Sequence, residues 1–123
     1  MIIRREQMEV FENQAEREFI IRLADHLRTG HPRKTKPFDD PALLQRTRES
    51  VQTARALGVA LQDSLALFAA LQFEFGRHFH LHPKVKKLLS RQPPDEAIQN
   101  IPDVMTDQDW NEAERLSAGI DAG

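Results

Sequence analysis

The sequence predicts an all-α fold, a single-domain bundle of about five helices around a central apolar helix at residues 61–79. Three observations predict it. Apolar residues recur at steps of three and four along most of the chain, the spacing of a helix stripe. Prolines and glycines punctuate that pattern at intervals, and no stretch of β alternation has useful length. The chain has 123 residues, of which 40% are hydrophobic and 29% charged. That suits one domain, 1–123, with a real core, and it suits neither a disordered chain nor a membrane protein.

In the first helix Met8, Phe11, Ala15, Phe19, Leu23 and Leu27 form one apolar stripe, opposite a face that carries Glu9, Glu12, Glu16, Arg17, Arg22 and Asp25. Thr29-Gly30 ends it, with Gly30 as a left-handed cap. Residues 31–39, with two prolines and three basic side chains, read as a loop. Asp40-Pro41 starts the second helix, an N-cap carboxylate followed by proline at the first helical position. Its inner stripe is Leu44, Thr47, Val51, Ala54 and Leu57, and Gly58 stops it.

The third helix, 61–79, is apolar on every side over Leu65 to Leu71 and holds Phe68, Phe73, Phe75 and Phe79. A helix of that kind is surrounded by neighbours. Gly76 near its end marks a bend. Pro83 opens a short fourth helix, about Lys84 to Ser90, which Pro93-Pro94 breaks. Glu96 to Ile101 makes one or two turns. Thr106 and Asp109 have the spacing of a capping box with Asp in place of Glu, so a last helix runs from Asp107 to Ala118 and stops at Gly119.

Composition excludes several chemistries. There is no cysteine, hence no disulfide, thiolate metal site or cysteine nucleophile. No phosphate-binding glycine loop, nucleophile elbow or H-E-x-x-H motif is present. No signal peptide or membrane-spanning stretch is visible, and the expected location is cytoplasmic. The charges are unevenly spread. Residues 1–91 hold 16 Lys and Arg against 11 Asp and Glu, whereas residues 92–123 hold eight acids and only Arg115. The acidic end either folds back on the basic stretch around Arg77, Lys84, Lys86, Lys87 and Arg91, or is simply solvated, or one of the two patches meets a charged partner. The net charge of −2 does not suit nucleic acid, and the mixed polar face of the first helix does not suit an anionic membrane.

The segment Arg77-His78-Phe79-His80-Leu81-His82-Pro83 most resembles a site. Three alternating histidines are a metal-ligand pattern on a strand. On a helix only His78 and His82 share a face. The expectation is no metal and no cofactor, with His82 capping the helix at Pro83 and with His78 and His80 on the surface. Trp110 is expected as a core anchor that also suits an interface.

Three stretches carry a family resemblance. They are Ile3-Arg4-Arg5-Glu6-Gln7-Met8-Glu9-Val10-Phe11 leading into Phe19 to Arg28, then Ala54-Arg55-Ala56-Leu57-Gly58-Val59 followed by Asp63, and Phe75-Gly76-Arg77-His78-Phe79 followed by Pro83. Over about residues 1–85 the chain resembles small helical proteins encoded beside effectors in bacterial type VI secretion clusters. In that group acidic residues often stand where this chain has His78, His80 and His82, so the resemblance carries no histidine metal site. It implies a non-enzymatic adaptor or co-chaperone whose partner is a secretion effector or a spike-associated protein. The same neighbourhood also holds immunity proteins that block a toxin, which here would use the acids between residues 95 and 114. The partner-binding residues expected on the adaptor reading are Phe11, Phe19, His78, His80, His82, Lys84, Lys87 and Trp110. A homodimer through the long first helix is a further expectation.

Overall fold

Asn13 begins the first helix. Its Oδ1 accepts a 2.7 Å hydrogen bond from the Glu16 N–H, as an N-cap side chain does. This is the start of a computed structural model that describes residues 13–122. Met8 and Phe11 lie outside the described residues. Helix α1 spans Gln14–Gly30 and buries Phe19, Ile20, Leu23, Ala24 and Leu27, while Ala15 is exposed.

Gly30 is not a left-handed cap. Among the described residues only Gly58 and Gly76 have positive φ. The helix instead closes with His31 N–H bonded to Leu27 O at 2.8 Å. The stretch expected as a loop then contains a one-turn helix, α2 (Pro32–Thr35). Pro32 stands at its start, where a proline needs no N–H partner and initiates a helix instead of breaking one. Arg28 ties down the chain between α2 and the next helix. Its guanidinium donates to the carbonyls of Thr35 (3.1 Å) and Phe38 (2.9 Å) and to Asp40 (3.1 Å).

Helix α3 spans Asp40–Ala56, and its cap is Asp39, one residue earlier than the sequence suggests. Asp39 Oδ1 accepts the Ala42 N–H at 2.9 Å, and Pro41 falls within the first turn. The buried face is Leu43, Thr47, Ser50, Val51 and Ala54, with Leu44 and Leu57 partly covered. Arg55 grips both oxygens of Glu16, at 2.8 and 2.7 Å, and so joins α3 to α1. Gly58, at φ +96°, ends α3 in a Schellman arrangement, in which Val59 N–H reaches Ala54 O and Gly58 N–H reaches Arg55 O.

Helix α4 spans Gln62–Phe75 and stops at Gly76 (φ +108°), so Phe79 does not belong to it, contrary to the expectation from sequence. No side chain of its own caps α4 at the start. Asp95 does so from a distance, accepting the N–H groups of Ala60 and Leu61, the latter at 2.8 Å. Leu65, Phe68 and Ala69 of α4 are fully buried.

After the Gly76 turn comes a 3-10 turn (Phe79–Leu81), then α5 (Pro83–Arg91), α6 (Pro94–Val104) and α7 (Asp107–Ala122). Helix α4 packs against α2, α3, the 3-10 turn, α6 and α7. Helix α6 is longer than the one or two turns read from the sequence. It runs through Pro102, which lies in the last turn and breaks only one backbone bond there. The capping box of α7 forms. Asp109 N–H donates to Thr106 Oγ1 (3.1 Å) and Thr106 N–H to Asp109 Oδ2 (2.9 Å). The helix continues past Gly119 to Ala122. Among the described residues there are seven helices, a 3-10 turn and no strand, a helical bundle of more pieces than the five expected. No described helix is long and apolar enough to cross a membrane.

Candidate functional site

The three histidines stand in three different environments: His80 lies within the 3-10 turn, and His78 and His82 flank it with backbone conformations of their own. His78 is half-buried, its Nε2 3.1 Å from Asp121 Oδ1 near the end of α7. Its backbone N–H donates to Ser117 Oγ at 2.8 Å. His80 is not on the surface as expected. Its ring packs against Phe68 and Phe79 at centroid distances of 5.6 and 5.9 Å, and its buried Nδ1 has no hydrogen-bond partner among the described residues. Burial, with a smaller effect from His78, lowers its pKa and so favours the neutral ring.

His82 is the most constrained of the three, buried at 5% exposure. As the sequence suggests, it caps the helix at Pro83, and its Nδ1 accepts the Lys84 N–H at 3.2 Å. The other nitrogen, Nε2, lies 2.9 Å from Glu112 Oε2 on α7. An accepting Nδ1 places the proton on Nε2, which therefore donates to the carboxylate. Lys84 completes the link, with Nζ 2.5 Å from Asp109 Oδ2. That ammonium, followed by the Thr106 N–H, holds the Asp109 carboxyl at about 2 against an ordinary 3.8. Of the basic stretch, Lys84 thus meets the acidic end, whereas Arg77 pairs with Glu49 of α3.

His82, Asp109 and Glu112 bring their ligand atoms within 4.8 Å of one another, the composition of a metal site. The bonding opposes a metal there. A ligating histidine offers a bare nitrogen to the ion and donates from the other. Here Nδ1 already accepts and Nε2 carries the proton, while the Lys84 ammonium occupies the cation's position beside Asp109.

The remaining expected residues divide. Phe19 is 7% exposed and packs in the core, leaving only an edge at the surface beside Arg22 and His26. Phe11 lies outside the described residues. Trp110 is half-buried and stacked on Phe75 with ring centroids 3.9 Å apart, an anchor that docks α7 onto α4. Lys84 and Lys87 line an open groove between α5 and the end of α6, of about 340 Å³, with Leu88, Arg91, Gln92 and Val104.

Sequence reasoning misses the apolar half of this groove. Val104 is 42% exposed, and Leu88 is partly buried. Arg91 is visible in the sequence as part of the basic cluster, whereas nothing local marks Val104. Lys87 and Arg91 are exposed, and among the described residues neither has a carboxylate within ion-pair distance. The groove can thus accept an apolar side chain on its floor and acidic groups at its rim. Comparison with protein families, characterised proteins and solved structures gives no match.

Proposed function

We propose that this chain is a non-enzymatic protein-binding adaptor or co-chaperone, which grips an acidic, apolar-bearing segment of a partner polypeptide in the groove between α5 and α6. The observation that carries the reading is the pair of exposed cations, Lys87 and Arg91, without an acid partner among the described residues and beside an exposed Val104. An exposed apolar contact with a charged rim is the anatomy of a protein interface. The resemblance over residues 1–85 supplies the partner class, an effector of a bacterial type VI secretion system or a protein of its spike, met in the cytoplasm. On this reading α4 is the central rod of the bundle, and its packing against the elements on both sides of it supports that role.

The immunity alternative would turn acids of residues 95–114 toward a basic toxin cleft. Asp95, Asp109 and Glu112 are already bonded within the fold, which favours the cationic groove over the acidic end. The test is co-purification with a candidate type VI secretion effector. The double variant Lys87→Glu, Arg91→Glu should weaken capture by at least roughly tenfold, with the largest loss at low salt. Undiminished capture would refute the groove. Cell killing by the effector unless this chain is co-expressed would favour immunity.

A further inference from the structure

Arg46 stands apart from the other arginines. Its side chain is only 18% exposed, yet its nearest acid, Glu49, is 3.9 Å away, and it makes no hydrogen bond among the described residues. A guanidinium keeps its proton, has five N–H groups and seeks a planar acceptor. Burial first, and then the neighbouring Arg77, disfavour its charge and lower its pKa.

The Glu49 oxygen at the outer reach of Arg46 is held more closely by Arg77. The Arg77 Nη2 holds Glu49 Oε2 at 2.8 Å, and Gln45 Nε2 approaches the other oxygen at 3.5 Å. Asp121, the second acid nearby, lies 3.1 Å from His78 Nε2. Both acids thus make their shorter contacts with other residues, and neither hydrogen-bonds Arg46. Arg46 lines a pocket of about 410 Å³ with Ala42, Gln45 and Glu49 of α3, Arg77, Phe38 and Asp121. Its apolar wall is fixed. Phe38 meets Phe73 edge-on at 5.7 Å, and its carbonyl accepts from Arg28.

We propose that this pocket binds a carboxylate, which Arg46 grips through paired N–H groups with Arg77 beside it and the ligand's apolar body against Phe38 and Ala42. The carboxylate comes from a free dicarboxylic acid or from the end of a peptide. The pocket shares no residue with the α5–α6 groove, so the two sites stand or fall separately.

The test uses the full chain labelled with ¹⁵N, following the arginine Nε–H signals as succinate is added, with succinamide at matched ionic strength as the neutral control. A saturable shift of the Arg46 signal with succinate and none with succinamide is expected. A second arm compares an acetylated peptide with a free C-terminal carboxylate against its amide. Binding of the peptide alone would identify a peptide source, and binding of succinate a free acid. Arg46→Gln should abolish the response. Glu49→Gln, which removes the competing acid, should tighten it by roughly tenfold, equivalent to about 1.4 kcal/mol. Circular dichroism checks that both variants are folded. The proposal is overturned by the absence of a saturable shift with either acid, by equal shifts with the amides, or by unchanged or weaker binding in Glu49→Gln.

Discussion

A Cβ built on Gly76 would overlap Cβ of Ser117, closer than side chains approach one another. Gly76 has φ +108° and ψ 152°, a conformation open to glycine almost alone. That close approach lets Ser117 Oγ accept the His78 N–H and seats the last turns of α7 on the turn that presents the histidines.

Gly76→Ala should therefore destabilise the fold by about 2–4 kcal/mol, part dihedral strain and part overlap. Urea denaturation measures it. Adding Ser117→Gly should relieve the overlap while leaving the strain and removing the acceptor of the His78 N–H, so the two substitutions are not additive. Gly30→Ala is the control. Nothing lies within 4 Å of a Cβ there and φ is not positive, so stability should rise by about 0.5–1 kcal/mol.

Asp109 sets an acid limb of the stability curve. Its folded pKa of about 2 lies below its ordinary 3.8, chiefly through Lys84 and then the Thr106 N–H. A depressed carboxylate stabilises the fold fully above its unfolded pKa. That contribution disappears as the pH falls from 3.8 to about 2. The stability difference between the wild type and Asp109→Asn should be constant at neutral pH and shrink across this window. A difference that stays constant down to pH 2 would contradict the Lys84–Asp109 link.

His80 acts in a different window. Its folded pKa is lowered from 6.5 by burial and then by His78, so the unfolded chain takes up a proton before the folded chain does. Stability is full above pH 6.5 and falls as the pH drops below it. His80→Phe keeps an aromatic ring against Phe68 and Phe79 and should remove that slope. Thermal melts of both proteins on either side of pH 6.5 provide the check.

The features legible in the sequence are local ones. The Phe19, Leu23 and Leu27 part of the α1 stripe, the proline at the start of α5 and the Thr106–Asp109 capping box depend on residues within a turn or two of one another, and each appears in the fold. Gly30 misleads because a terminal glycine allows a left-handed cap without requiring one, and Pro32 misleads because proline breaks a helix or opens it according to position. The site depends on distant partners. His80 is covered by Phe68 of α4, Lys84 meets Asp109 of α7, and Val104 borders the groove only because α6 extends through Pro102. No spacing in the chain encodes those contacts.

His82 joins two helices through one ring, and its two nitrogens can be tested apart. Nδ1 caps α5 through the Lys84 N–H, and Nε2–H reaches Glu112 on α7. His82→Asn retains an oxygen able to cap but gives up the reach to Glu112, whereas His82→Ala gives up both. Stability should fall in the order wild type, Asn, Ala, with the cap contributing about 1 kcal/mol to the last step. Long-range ¹H–¹⁵N spectra should show the proton on Nε2 and a bare Nδ1. Stoichiometric zinc should leave those signals in place, since coordination at Nε2 would displace its proton while Nδ1 still faces a donor. A proton on Nδ1, or a zinc-dependent shift lost in His82→Asn, would reverse the assignment and return His82, Asp109 and Glu112 to consideration as metal ligands.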